Sequence, residues 1–212
     1  AAGGFIDKFG YPFCRGRLFN SLEQDGGQYN NDVEIFWATG ACMMIRASLY
    51  HKQNGFDESF FAHMEEIDLC WRLKNEGHQI YFVNNAVVYH LGGGTLSSLS
   101  PNKTYLNFRN NLYLLYKNLP DQFLYRTIFA RMILDGVAFF HFLLSGKLNH
   151  GWAILRAHTA FYKRLKFLKK QRKLKEQFHH LKFLKGVYNN SIVFSFYIKG
   201  FKLFSALNPK KF

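Results

Sequence analysis

Over the first third of the chain, hydrophobic residues come in short bursts rather than at a sustained period. Residues 5–32 mix aromatics with Gly, Asn and Asp, which predicts loop with short extended pieces. In "EIFWATGACMMIRASLY", residues 34–50, the run from Ile35 to Ile45 is mostly apolar and bounded by polar residues, as in a buried strand. Gly40 interrupts it, marking either a bulge or tight packing point, or the close approach of a ligand or second backbone. "NGFDESFFAHM" (54–64) then reads as a turn and an aromatic segment.

At Glu65 the period becomes helical. Ile67, Cys70, Trp71 and Lys74 share one side, with the Lys74 stem snorkelling, and "NEG" supplies a left-handed stop at Gly77. "HQIYFV" (78–83) predicts a strand, and "AVVYH" continues extended until "LGGGT" breaks it. Strand, helix, strand and glycine loop in that order predict an α/β layer architecture. From about Tyr105 the pattern is helical: Ile128, Phe129, Met132, Ile133 and Val137 recur at helical spacing, and Arg131 and Asp135 form an i, i+4 pair. Leu148, Trp152, Leu155 and Tyr162 fall on one side of a second helix. The longest uncharged apolar run there, Gly136 to Gly146, is shorter than the roughly 20 residues a bilayer crossing needs. No internal repeat is visible.

Charge divides the chain. Residues 1–150 balance 13 Lys and Arg against 13 Asp and Glu, whereas residues 151–212 carry 15 Lys and Arg and a single acid, Glu176. A neutral front part and a basic tail predict an anionic partner, either membrane lipid or nucleic acid. Cys14, Cys42 and Cys70 are odd in number and widely spaced, without a zinc-type pairing, and read as reduced thiols. The opening "AAGGFIDKFGYPF" matches neither a signal peptide nor the start of a domain, and predicts entry in mid-fold.

The candidate chemistry centres on Glu65, Glu66 and Asp68. Asp68 stands four residues before Arg72, a natural helical ion pair, while Glu66 falls on a different face. At a helix N-terminus the macrodipole favours an ionised carboxylate and neighbouring acids oppose it, a balance suited to a general base. Acids in a first turn also commonly do no more than stabilise the helix. His90, ending a predicted strand, suits either a metal ligand or a hydrogen-bonded structural histidine. Gly92, Gly93, Gly94 and Thr95 offer backbone donors for phosphate oxygens, or simply a flexible loop.

Taken together, "FWATGACMMIRASLY" and "GFDESFFAHMEEIDLCWRLKNEGHQIYFVNNAVVYHLGGGT" resemble the C-terminal half of a bacterial family 2 glycosyltransferase of the rhamnosyltransferase-like type. The resemblance covers roughly residues 1–118, and "EEIDLCWRL" with the later "VVYH" is its most specific part. It implies a GT-A fold, a nucleotide-diphospho-sugar donor, inversion at the anomeric carbon, and Mg²⁺ or Mn²⁺. It also implies that Glu66 is the base that deprotonates the acceptor hydroxyl, although the family more often has Asp there, which keeps Glu65 in contention. By the same resemblance His90 is a metal ligand, Thr39, Gly40 and Ala41 lie beside donor sugar and acceptor, and Trp37 is a sugar-stacking wall. Asp68, Arg72, Gly93, Gly94 and Thr95 complete the expected substrate-binding set. The family's N-terminal half, with its nucleotide-binding strands and "DxD" metal motif, has no counterpart motif here, so the resemblance implies a portion of a longer enzyme.

The expected architecture is therefore the C-terminal half of a GT-A α/β fold over residues 1–118, followed by a basic, amphipathic helical region over 119–212. Between Lys163 and Lys185 basic residues dominate, with Phe167, Leu174, Phe178 and Leu181 on one helical side. Lysines interleaved with Phe and Leu suit an anionic membrane surface. No nucleic-acid-binding signature accompanies them, so nucleic acid is not an expected partner. The expected acceptor is a glycan or a lipid-linked glycan, and the expected location is peripheral, at the cytoplasmic face of the bacterial inner membrane. Two other readings stand beside this one: a non-catalytic membrane-binding module derived from such an enzyme, and a basic nucleic-acid-binding protein.

Overall fold

The computed structural model describes residues 2–89, 100–173 and 181–212, with the side chains of Lys173 and Lys182 left out. It is a mixed α/β chain whose packing divides it into two units. One comprises Ala1–Phe56, Glu66–Tyr89 and His179–Phe212; the other comprises Asp57–Glu65 and His90–Phe178. The division thus cuts the chain several times, not once at residue 118.

In the first unit, β1 (Gly4–Asp7), β2 (Pro12–Cys14), β3 (Arg17–Leu18) and β4 (Ser21–Leu22) form an antiparallel meander within the stretch expected to be mostly loop. On the other edge of β1 lies β5 (Val187–Tyr188), paired in parallel with Ile6 opposite Val187. Gly186 is required at that junction: its φ is +85°, and an added Cβ would lie 2.2 Å from the Phe36 backbone nitrogen. The buried Asp7 carboxylate ties the ends together. It accepts hydrogen bonds from Phe9 N and Tyr11 N, each at 2.9 Å, and from Ile192 N at 2.8 Å, at the start of α1 (Ile192–Tyr197).

Phe5, Phe13, Leu18, Ile35, Tyr188, Ile192, Phe196 and Leu207 close one hydrophobic core. Residues from 187 onward are therefore part of a core, and the basic residues expected to form one helical tail are divided between units. A second, two-stranded sheet pairs β6 (Val33–Glu34) with β7 (Tyr81–Phe82). The buried strand expected over Ile35–Ile45 ends almost as it begins. Ile35 and Phe36 are buried, and the chain then turns out through a short 3-10 turn, Gly40–Cys42, with Thr39 to Cys42 exposed.

The short helix α2 (Ala47–Lys52) precedes α3 (Glu65–Asn75), which matches its sequence pattern closely. Ile67, Cys70, Trp71 and Lys74 are all buried. Its end is a Schellman-type cap: His78 N donates to Leu73 O, Gly77 N to Lys74 O, and Gly77 takes φ +85°. Lys74 does not snorkel to solvent; its ammonium is buried against Glu34 at 2.8 Å. The second unit contains α4 (Pro101–Asn118), α5 (Asp121–Leu144) and α6 (Leu148–Lys173), with α4 and α6 packed most extensively. Burial in α4 concentrates in its last two turns, Asn110 to Asn118.

Candidate functional site

The two glutamates open α3, and the chain enters that helix through an unusual turn. Asp57 caps a 3-10 turn, Glu58–Phe60, by accepting a hydrogen bond from Ser59 N at 2.9 Å. Phe61 follows with φ 64° and ψ −60°, and Ala62 N donates to Phe60 O at 2.8 Å, a γ-turn of the strained kind. His63 and Met64 also have positive φ, at 67° and 72°. Three non-glycine residues in four thus hold a conformation that costs about 1–3 kcal/mol each and persists only when its surroundings enforce it.

Helix α4 does the enforcing. The amide nitrogen of the fully buried Asn110 lies 3.0, 2.8 and 2.7 Å from the carbonyl oxygens of Phe60, Ala62 and His63. Its oxygen accepts from Arg109 Nε at 2.9 Å, and Arg109 Nη2 reaches Ser59 O and Phe60 O at 3.2 and 2.8 Å. Lys117 pairs with Asp57 and lies over the Phe60 ring. Asp57 is held below the ordinary carboxylate range: burial pushes it up, but the Lys117 charge and hydrogen bond, with those from Ser59, outweigh that. The His63 imidazole is driven towards its neutral form by burial and by the Lys103 charge, against the pull of Glu65. His63 Nε2 and Glu65 Oε2 are both buried without a hydrogen-bond partner among the described residues. Such atoms in a strained, clamped segment suit hydrogen bonding to a bound molecule.

Glu66 turns to the first unit. Its charge adds to the upward shift of two thiols, Cys14 and Cys70, after the larger effect of burial. Cys70 is pushed up to about 12 by burial, even though the Ala38 backbone N–H donates to it. That contact ties the segment leading into Thr39, Gly40 and Ala41 to the helix that carries Glu66. Thr39 caps the following turn, accepting from Ala41 N at 3.4 Å. Gly40 has ordinary backbone angles, and a Cβ there would meet no described atom within 4 Å, so protein packing does not require glycine. Trp37 is half-buried; its indole N–H donates to Phe5 O at 2.8 Å, and its ring lies where a Cβ on Gly4 would be.

Asp68 and Arg72 form the ion pair that their spacing predicts, at 2.8 Å, with Asp68 fully buried. Arg72 Nη1 donates to Gln53 O at 2.6 Å and Nη2 to Gly55 O at 2.8 Å, so its guanidinium ties the 53–55 turn to the helix. His90, Gly93, Gly94 and Thr95 lie outside the described residues. Among the described residues no group of three or more His, Cys, Asp or Glu is placed to hold a metal ion. His63, Arg109 and Asn110 escape a motif-based reading. The available signal was the polar tripeptide Arg109–Asn111 set directly before the apolar run Leu112–Tyr116, since buried polar groups need partners.

No protein-family model matches the chain, and no solved structure matches it. Among curated proteins it is 38% identical over 53 residues to a rhamnosyltransferase of Escherichia coli, covering 25% of this chain and 20% of that protein. It is 39% identical over 56 residues to the N-acetylglucosaminyl-diphospho-decaprenol L-rhamnosyltransferase of Mycobacterium tuberculosis, covering 26% and 18%. A third match, 36% over 72 residues, is to the low-salt glycan biosynthesis hexosyltransferase of Haloferax volcanii, covering 32% and 24%. The chain thus matches at most about a quarter of the length of these relatives. The matches support a relationship to glycosyltransferases.

Proposed function

We propose that this chain is the acceptor-side portion of an inverting glycosyltransferase with a GT-A fold of the family 2 type. It would act in transfer of a sugar, hexosyl or rhamnosyl in type, from a nucleotide-diphospho-sugar to a hydroxyl of a glycan or lipid-linked acceptor. Glu66 takes the proton from the acceptor hydroxyl as that oxygen bonds to the anomeric carbon. The bond from that carbon to the donor's diphosphate oxygen breaks with its electron pair on the leaving group. Thr39, Gly40 and Ala41 border the reacting sugar.

The observation that carries this reading is the entry to α3. Two glutamates begin the helix, and Glu66 stands one turn before Cys70, whose contact with Ala38 fixes that helical face beside the segment leading to Thr39. Such rigidity is what a base needs to meet an attacking hydroxyl. Among the described residues no cluster of acids, histidines or cysteines is placed to hold Mg²⁺ or Mn²⁺. A divalent ion enters the proposal only through His90, outside the described residues. We further propose that the enzyme works peripherally at the cytoplasmic face of a membrane, consistent with the chain's formal charge of +14.

In the enzyme containing this chain, Glu66→Gln should lower turnover by about 10²–10⁴-fold with donor binding retained. The check is steady-state transfer together with donor titration. A comparable loss in Glu65→Gln, with Glu66→Gln near wild type, would assign the base to Glu65. Full activity in both variants would end the proposal for this helix.

A further inference from the structure

Helix α5 is built inside out for a helix in water. On its covered side only Leu124, Ile128, Arg131 and Asp135 are buried, so half of the buried side chains are charged. Arg131 Nε bonds Asp135 at 2.6 Å, and its Nη1 bonds Asn111. His158 of α6 lies 3.0 Å from the other Asp135 oxygen. The opposite side repeats Tyr125, Phe129, Ile133, Val137, Phe140 and Leu144 at successive turns, every one more than half exposed. That stripe runs for about 28 Å at 1.5 Å per residue. Beside it on α6, Trp152 and Leu155 are exposed, and Tyr162 reaches Met132 of α5. A contiguous apolar surface of this kind marks an interaction site.

We infer that this face of the α5–α6 hairpin lies in the interfacial layer of an anionic phospholipid bilayer, its apolar side chains among the upper acyl chains. Length and composition alone would let Asp121–Leu144 cross a membrane, and only 17% of its most apolar window is buried. Its neighbour argues against crossing. Helix α6 runs beside α5 through the His158–Asp135, Tyr162–Met132 and Arg172–Asp121 contacts. It exposes Lys163, Lys166, Lys169 and Lys170, which a spanning α5 would carry into hydrocarbon. With the helices in the membrane plane, those ammonium groups meet lipid phosphates while the stripe faces inward. Apolar face and basic rim together select anionic lipid. The expected basic anchor therefore moves from the tail as a whole to this hairpin, and the inference holds whether or not the transferase reading does.

The test uses the full chain with vesicles of phosphatidylglycerol and phosphatidylcholine, and with phosphatidylcholine alone. Anionic vesicles should co-sediment the chain at low salt, with a fraction surviving high salt. Bromine on the acyl chains should quench tryptophan emission in the wild type but not in W152F. The triple variant F129S/V137S/F140S changes only exposed or rim positions and should keep its circular dichroism. It should lose the salt-resistant fraction and partition at least ~10-fold more weakly. K163Q/K166Q/K169Q/K170Q should instead lose the salt-sensitive part. Wild-type binding by the triple variant, or no acyl-chain quenching, would overturn the inference. So would resistance to alkaline carbonate extraction, which signals a spanning helix. A dimer that the triple variant breaks, without vesicle binding, would assign the face to a second copy of the chain.

Discussion

Helices α3 and α5 each bury an acid paired with an arginine four residues away, yet the two helices turn their apolar residues in opposite directions. In α3, Asp68–Arg72 flanks an apolar face that packs inward as Ile67, Cys70 and Trp71. In α5 the pair Arg131–Asp135 shares the inward face with Leu124 and Ile128, and Phe129, Ile133 and Val137 point out. The local rule that brings i and i+4 together says nothing about which side of a helix the fold will cover. The inferred membrane face of α5 rests on that inversion, in which the helix buries charge and exposes aromatics.

The largest effect should come from breaking the inward pair. Arg131→Ala leaves Asp135 and Asn111 buried without the guanidinium, a loss of about 3–5 kcal/mol. Chemical denaturation followed by far-ultraviolet circular dichroism measures it. If the pair only sets helix packing, Arg131→Met with Asp135→Leu should recover most of that loss, because a matched apolar pair removes both desolvation costs. Asp68→Asn should cost less, about 1–3 kcal/mol, since Arg72 keeps the Gln53 and Gly55 carbonyls. A larger loss than in Arg131→Ala would invert the comparison.

Acid should weaken the strained entry to α3 in two steps. The depressed His63 pKa means the unfolded chain binds the extra proton, so stability falls as pH drops below about 6.5. The depressed Asp57 pKa keeps its contribution present above the ordinary carboxylate value of about 3.8, and it is lost as pH falls through the lower folded value. His63→Gln should flatten the first limb and Asp57→Asn the second, in denaturation midpoints taken across pH. The smallest effect tests exposure directly. Val137→Ser on α5 should change stability in buffer by no more than ~0.5 kcal/mol, whereas Leu69→Ser inside α3 should cost several-fold more. A sizeable loss at Val137 in lipid-free buffer would mean that its side is covered after all.

The features of this chain that follow from nearest neighbours are legible in its sequence. The span of α3, its Gly77 stop, the Asp68–Arg72 pair and the strand at Tyr81–Phe82 depend on residues within a few positions of each other. The placement of Glu65 and Glu66 in a first turn is of the same kind. Only the tertiary structure decides the remainder, because its partners are far apart in the chain. The parallel pairing of Ile6 with Val187 draws residues read as a basic tail into the first core. The Asn110 clamp crosses about 50 residues to hold His63 and its neighbours in positive φ, a conformation that no local preference of Phe, His or Met would choose. The stripe on α5 has the same periodicity whether it faces a core or a membrane. Its outward side is set by α4 and α6, which supply Asn111 and His158 as partners for a buried ion pair and leave the aromatics uncovered.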